Sequence, residues 1–230
     1  MSFEQGFNRL WHSVAAKFRK RRRRRFLALF PPDRGSSIVD LGGLVSHWEG
    51  EQRDITVLNL MPQESSHCKV LVGDGRHTGL PDKGFELAYS NSAIEHVGKW
   101  ADQVAFAQEL QRVGKAVYCQ TPNRWFPLEV HYLTFFWHWY PKLLRNYFIV
   151  RDLTGWGWLV RPDRRRVQDY ADSVNLVTYK QMQELFPGCT IERERFMGLT
   201  KSLIAVSGPR PTGARVQVQG DRAGAPAQRS

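Results

Sequence analysis

Residues 72–98 read VGDGRHTGLPDKGFELAYSNSAIEHVG, and the fold turns on how this stretch is divided. Its first glycines close a β-rich run, CKVLVGD (68–74), and its centre holds another, FELAYSN (85–91). Both are short, apolar and β-branched or aromatic, and both stop at residues that favour turns. Upstream lie two more such runs, SSIVDLGG (36–43) and DITVLNL (54–60), and downstream a fifth, KAVYCQTP (115–122). Between the fourth and fifth, residues 101–114 (ADQVAFAQELQRVG) place Val104, Ala107, Leu110 and Val113 at helical spacing, with Gly114 to close the helix. Strands that alternate with helices predict a parallel sheet with its ligands at the carboxyl edge. CTIERERF (189–196) and SLIAVSG (202–208) complete seven strands, and their nearness in sequence predicts a terminal antiparallel pair. The fold class expected is α/β, doubly wound, with a mostly parallel seven-stranded sheet.

Charge is unevenly spread along the 230 residues. The formal net charge is +11, but Lys17 to Arg25 (KFRKRRRRR) supplies eight positive charges and the segment from Ser207 onward another three, so residues 26–206 are neutral. Polyanion contact therefore belongs to a short run and a tail and not to a basic groove across the domain, which makes nucleic acid an unlikely partner. Phe3, Phe7, Leu10, Val14 and Phe18 form one apolar stripe of a helix, so residues 1–30 are expected to be amphipathic with a basic end. This helix either docks on the domain or lies on an anionic membrane surface through residues 17–25. RRRRRFLALF is too short in its apolar part for an export signal, and no stretch approaches a membrane span. Cys68, Cys119 and Cys189 have neither disulfide nor zinc spacing. Residues 207–230 are rich in Gly, Pro, Ala and Arg and are expected to be a disordered tail.

Four successive strand ends carry polar or glycine residues: Asp40-Leu41-Gly42-Gly43, Asn59, Gly73-Asp74-Gly75, and Asn91 with Ser92 behind it. Glycine lets the backbone approach a ligand, and a carboxylate accepts from an amine. On these residues the chain resembles the class I, seven-stranded, Rossmann-like S-adenosylmethionine-dependent methyltransferases, in a bacterial small-molecule branch similar to methyltransferase type 11. IVDLGG resembles their first motif, the 72–98 stretch their third and fourth, and QELQRVGKAVYCQTPN the helix and strand that follow. The resemblance spans roughly residues 34–206 and implies S-adenosyl-L-methionine as cofactor. It assigns Asp40, Gly42 and Gly43 to the methionine part, Asn59 to the ribose, Asp74 and Gly75 to the adenine, and Asn91 to the edge near the sulfonium. Leu44 and Ser46 replace two glycines of the family's usual loop, and Asn59 stands where an acid is usual. Some relatives place a metal on acidic-x-x-Glu-His; here Ser92 stands in the acidic position before Glu95-His96, so no metal is expected, and Glu95 and His96 are expected to cap and orient the following helix.

The methyl acceptor should lie beyond the fourth and fifth strands. There, residues 125–158 hold twelve of the chain's twenty-eight aromatic residues, and residues 122–188 are expected to form an aromatic-rich helical cap inserted in a methyltransferase domain of residues 31–206. Glu129 and His131 lie two apart after Pro127; in extended chain they share a face, which makes His131 the candidate base and Glu129 its orienting partner. The run RPDRRR (161–166) offers charge for a phosphate or carboxylate. The expected function is methyl transfer to a small-molecule or lipid-linked acceptor, at oxygen, in the cytoplasm or peripherally at the inner membrane face. Two readings compete: a non-catalytic binding module on the same fold, and an RNA methyltransferase guided by the arginine run. The neutral body and the SNSA sequence at the fourth strand disfavour the latter.

Overall fold

The computed structural model describes residues 18–31, 37–129, 134–135 and 173–208, and for 128–129 and 134–135 the backbone alone. The expected leader helix with Phe3, Phe7, Leu10 and Val14, the base candidate His131, most of the expected cap and the expected tail after Gly208 lie outside these residues. The seven expected strands all form. They are β1 (Ser37–Leu41), β2 (Asp54–Asn59), β3 (Lys69–Val72), β4 (Phe85–Asn91), β5 (Gly114–Pro122), β8 (Thr190–Phe196) and β9 (Leu199–Ser207), joined in the order β3-β2-β1-β4-β5-β9-β8. β1 to β5 pair parallel, while β9 runs antiparallel to both β5 and β8. Two short strands, β6 (Leu128–Glu129) and β7 (Thr134–Phe135), make a separate antiparallel pair just after β5. The strand order reverses between β1 and β4, and at such a point the loops leave in opposite directions and open a crevice at the carboxyl edge.

Alternation along the strands builds two cores. Val39, Leu41, Ala88, Val117, Cys119, Leu203 and Ala205 face one layer, packed on α2 (Trp100–Val113) and α3 (Tyr179–Leu185). Ile38, Leu87, Ala116, Tyr118 and Ile204 face the other. A period of two on strands buried on both faces is what a sheet covered by helices requires.

The second face is covered by α1, residues 18–29, whose arginines the sequence left uncommitted. Phe26 is 2% exposed, and its ring lies edge-on to Trp48, Tyr89 and Tyr118 at 6.0, 5.2 and 5.4 Å between centroids. Edge-to-face pairing sets the positive rim of one ring against the negative face of the next. Arg23 reaches Glu51 at 2.6 Å, Arg25 reaches Glu192 at 2.5 Å, and Arg22 donates to Gln120 Oε1 at 2.5 Å. Three arginines of the run are therefore held by side chains of the domain.

Helix caps differ from expectation in two places. After Asn91 the chain makes a 3-10 turn at Ile94–His96, and α2 begins only at Trp100, where Asp102 accepts from the Lys99 amide at 2.9 Å. Glu95 does not cap that helix; it is buried and accepts from Thr121 Oγ1 of β5 at 2.9 Å, tying the turn to the sheet. Gly114 does end α2, but in extended backbone with φ −98°, as the first residue of β5. A Cβ there would lie 2.6 Å from the Ala88 backbone nitrogen, so close approach to β4 requires the glycine.

Phe26→Ala is expected to lower unfolding free energy by about 3–5 kcal/mol, because it opens a cavity among three aromatic rings. Arg24→Ala, on the exposed side of the same helix, should change it by about 0.5 kcal/mol or less. Urea titrations of both variants check this, and equal losses would mean that α1 is held by charge and not by Phe26.

Candidate functional site

At the carboxyl edge of β1 to β4 lies a cavity of about 230 Å³. Its backbone side is built by Gly42, Gly73 and Gly75, its polar side by Asn59, Asp74 and Arg76. Leu58, Leu60, Ala93, Val97 and Phe106 supply the apolar walls. The sequence had singled out five of these positions, Gly42, Asn59, Gly73, Asp74 and Gly75. It missed Phe106, which reaches in from α2, and Arg76, although Arg76 directly follows the glycine pair.

Asp74 is held in place by a chain of ion pairs. Arg76 donates from Nε to both of its carboxylate oxygens at 3.0 and 2.9 Å and from Nη2 at 2.6 Å, and also reaches Asp102 of α2 at 2.5 Å. The hydrogen bonds from Arg76 hold the Asp74 carboxyl below its usual range. Asp74 therefore presents an ionised acceptor whose direction is set by Arg76 of its own loop, which Asp102 of α2 braces in turn.

Asn59 spends its side chain on the neighbouring loop. Its Nδ2 donates to the Gly43 carbonyl at 2.8 Å, joined there by Gln63 Nε2 at 3.0 Å, and its Oδ1 accepts from the Met61 amide at 3.1 Å. An aspartate in this position has no hydrogen to give that carbonyl, which accounts for an amide where an acid is usual. Gln63 takes part in shaping the loop, and nothing in its spacing marked it.

Asp40 sits beneath this loop, fully buried, outside the lining of the cavity. A Cβ on Gly43 would fall 1.8 Å from Asp40 Oδ2, so the carboxylate occupies the space that the glycine leaves. Trp48 Nε1 donates to Oδ2 at 2.8 Å, while Oδ1 has no partner among the described residues. Burial pushes the Asp40 pKa from its usual 3.8 up to about 7, with the Trp48 bond pulling the other way. Gly42, at φ +78°, makes the turn that carries the chain over Asp40.

Asn91 falls on the other side of the β4 end. Its Oδ1 accepts from Arg22 Nη1 at 3.3 Å, and it lines a second cavity of about 350 Å³ under α1. The backbone of Glu129 is in β6, and His131 lies outside the described residues. Among the described residues, no three His, Cys, Asp or Glu side chains gather in a metal-binding group.

The Asp40 shift sets a pH dependence. The unfolded chain ionises Asp40 near pH 4, while the folded chain holds the proton to about 7. This contribution is thus complete below about pH 4 and is lost as pH rises toward 7, on the order of 4 kcal/mol in all. Asp40→Asn keeps an acceptor for Trp48 Nε1 and removes the titration. Urea unfolding between about pH 4 and pH 8 should show the slope in the parent and not in the variant. Parallel slopes would place the titrating group elsewhere.

Residues 46–116 match the family model of the methyltransferase domain. No curated protein matches the chain. Among solved structures, the chain is similar to a SAM dependent methyltransferase from Archaeoglobus fulgidus, at 12% identity over 90% of this chain and 100% of that one, with a TM-score of 0.52. An S-adenosylmethionine dependent methyltransferase from Mesorhizobium loti aligns at 18% identity over 78% of this chain and 93% of that one, with a TM-score of 0.47. The likeness to the Archaeoglobus fulgidus protein establishes the fold. The matched residues run from the turn after β1 into β5 and so include every strand end of the cavity except that of β1 itself. The chain thus has the seven-stranded fold of the Archaeoglobus fulgidus protein, and residues 46–116 are similar to a methyltransferase domain, a similarity that implies S-adenosylmethionine as the cofactor.

Proposed function

We propose that the protein transfers the methyl group of S-adenosylmethionine to a small-molecule or lipid-linked acceptor, at oxygen. The observation that carries this reading is the pairing of two cavities on either side of the β4 end, one walled by glycine backbone and Asp74, the other by Asn91. The cofactor fits the first cavity on its chemistry. Glycine backbone leaves room for it, Phe106 and Val97 offer apolar surface to a purine, and Asp74 offers a charged acceptor to an amine. Asp40 Oδ1, under the same loop, is a buried polar atom that has no partner among the described residues.

In this reading Asp74 and Gly75 hold the adenine, Asn59 the ribose, and Gly42 and Gly43 the methionine part, with Asp40 beneath them as the support of their loop and Asn91, next to Ser92, at the sulfonium edge. Asn59 keeps one amide hydrogen and one lone pair beyond the bonds it makes to Gly43 and Met61. When bound, S-adenosylmethionine supplies an electrophilic methyl group. What the protein must add is alignment of the acceptor with that group and removal of the hydroxyl proton. His131 is the proposed base, with Glu129 to orient it, and the aromatic segment after β5 is the proposed wall. No described helix is long and apolar enough to cross a membrane. We place the protein in the cytoplasm, with residues 17–25 as a peripheral contact to the inner membrane face.

Asp74→Ala should weaken S-adenosylmethionine about tenfold in a calorimetric titration, the loss of one charge-assisted hydrogen bond at a half-exposed carboxylate. His131→Ala should leave that affinity unchanged and slow single-turnover methyl transfer by roughly 10²–10⁴-fold, as loss of a general base does. An unchanged isotherm for the first variant would remove Asp74 from the adenine. Loss of cofactor binding in the second would remove His131 from the acceptor side.

A further inference from the structure

The second cavity, of about 350 Å³, lies between α1, the 3-10 turn at Val45–Trp48 and the end of β4. Arg19, Lys20, Arg22 and Arg23 all line it, against the single carboxylate of Glu49. Phe26, Trp48 and Tyr89 lie beneath them as an aromatic floor, with Trp48 and Tyr89 edge-on at 5.0 Å. Although the body of the protein is neutral, the docking of α1 concentrates charge at this one concave place.

The four cations differ in what holds them. Arg23 pairs with Glu51, and Arg22 bonds Asn91 and Gln120 with Glu194 at 4.0 Å. Arg19 and Lys20 have no carboxylate within salt-bridge distance among the described residues, and both are exposed at the rim. The positive charge is felt inside: burial, and then Arg19 and Arg22, hold the His47 ring below its usual pKa. An anion entering the cavity meets two donors already fixed by the protein and two able to close on it.

The cavity also communicates with the cofactor side. Gln120 Oε1 accepts both from Arg22 Nη1 and from Ser92 Oγ at 3.1 Å, and Ser92 lines the cofactor cavity. The two cavities are thus separated by the width of the Asn91-Ser92 peptide and one shared hydrogen-bond acceptor. Ser92 holds φ +57°, which turns the chain between them.

We propose that this basic cavity is the subsite for an anionic group, a phosphate or carboxylate, on the methyl acceptor, whose apolar part rests on the Phe26, Trp48 and Tyr89 floor. The proposal rests on the methyl-transfer reading above and names the acceptor's chemical class. Arg22 positions Asn91 and Gln120 at the boundary, and Arg19 and Lys20 select for charge.

The test is calorimetric titration of the full chain with inorganic pyrophosphate, in parallel with S-adenosylmethionine. Saturable binding at one site is expected, weakened about tenfold or more in an Arg19→Gln/Lys20→Gln double variant that keeps its S-adenosylmethionine affinity. Arg21→Gln/Arg24→Gln removes equal charge from exposed positions of the same helix outside the cavity lining, and should leave pyrophosphate binding unchanged. Absence of saturable binding overturns the proposal, as does an equal loss in both double variants, because the anion would then meet the helix as a whole. Pyrophosphate binding without S-adenosylmethionine binding would keep the anion site and sink the methyl-transfer reading; the reverse would sink the site alone. Vesicles of phosphatidylglycerol identify the source of the anion. Co-sedimentation that pyrophosphate displaces supports a lipid headgroup, and vesicles that leave the protein in the supernatant support a soluble acceptor.

Discussion

A fully buried carboxyl group organises this protein. Asp40 is at the end of β1, where the sheet order reverses, with Gly43 above it and Trp48 beside it. The Trp48 hydrogen bond fixes the indole, whose ring then becomes part of the floor on which Phe26 and α1 pack. The space over the same carboxylate admits only a glycine, and the Gly43 carbonyl is held by Asn59 and Gln63. One buried group thus sets the glycine loop of the first cavity on one side and the aromatic floor of the second on the other. A buried carboxyl is costly when ionised, and that cost accompanies strain and polarity at functional sites more often than in ordinary cores.

The arginine run has a different character in the fold than in the string. Eight positive charges in nine residues look like a solvated or membrane-facing stretch. Once coiled, the run divides by helical angle: Arg22, Arg23 and Arg25 turn toward Gln120, Glu51 and Glu192, Arg19 and Lys20 stay exposed at the rim of the second cavity, and Arg21 and Arg24 lie outside it. Glu51 also holds the buried Arg53, which donates to the Phe30 carbonyl at 3.0 Å and so anchors the end of α1. Charge and aromatic packing therefore act together on this helix. Partly buried ion pairs on their own contribute little, so the rings set its position and the arginines its register.

The site shows how second-row groups settle what the strand ends can do. Asp74 comes from the turn after β3, but Arg76 and Asp102 aim it, so α2 has a share in the polar wall as well as in the apolar one through Phe106. Glu95 and Thr121 join the turn after β4 to β5, which keeps the Asn91-Ser92 boundary in register with Gln120. These ties bring together residues between 2 and 28 positions apart along the chain.

Sequence alone determined the sheet. Runs such as IVDL, DITVLN and FELAYSN have the apolar density of strands buried on both faces, and the turn residues that end them are local signals that need no partner to be read. It also located the carboxyl edge, and with it Gly42, Asn59, Gly73, Asp74 and Gly75, because parallel topology places every strand end on one side. The helix α2 was read to within one residue of its ends, but Glu95 was expected to cap it, whereas the turn at Ile94–His96 is a separate 3-10 element whose backbone is bound to β5 and the Asn175 segment. Tertiary structure alone decided the rest. That Asp40 lies under the loop and not in the cavity, that Asn59 serves Gly43, that Asp102 braces the Arg76 that holds Asp74 and that the basic helix frames a second cavity all depend on how the elements pack on one another. Their energies come from burial and from hydrogen-bond geometry, which exist only once the layers have packed.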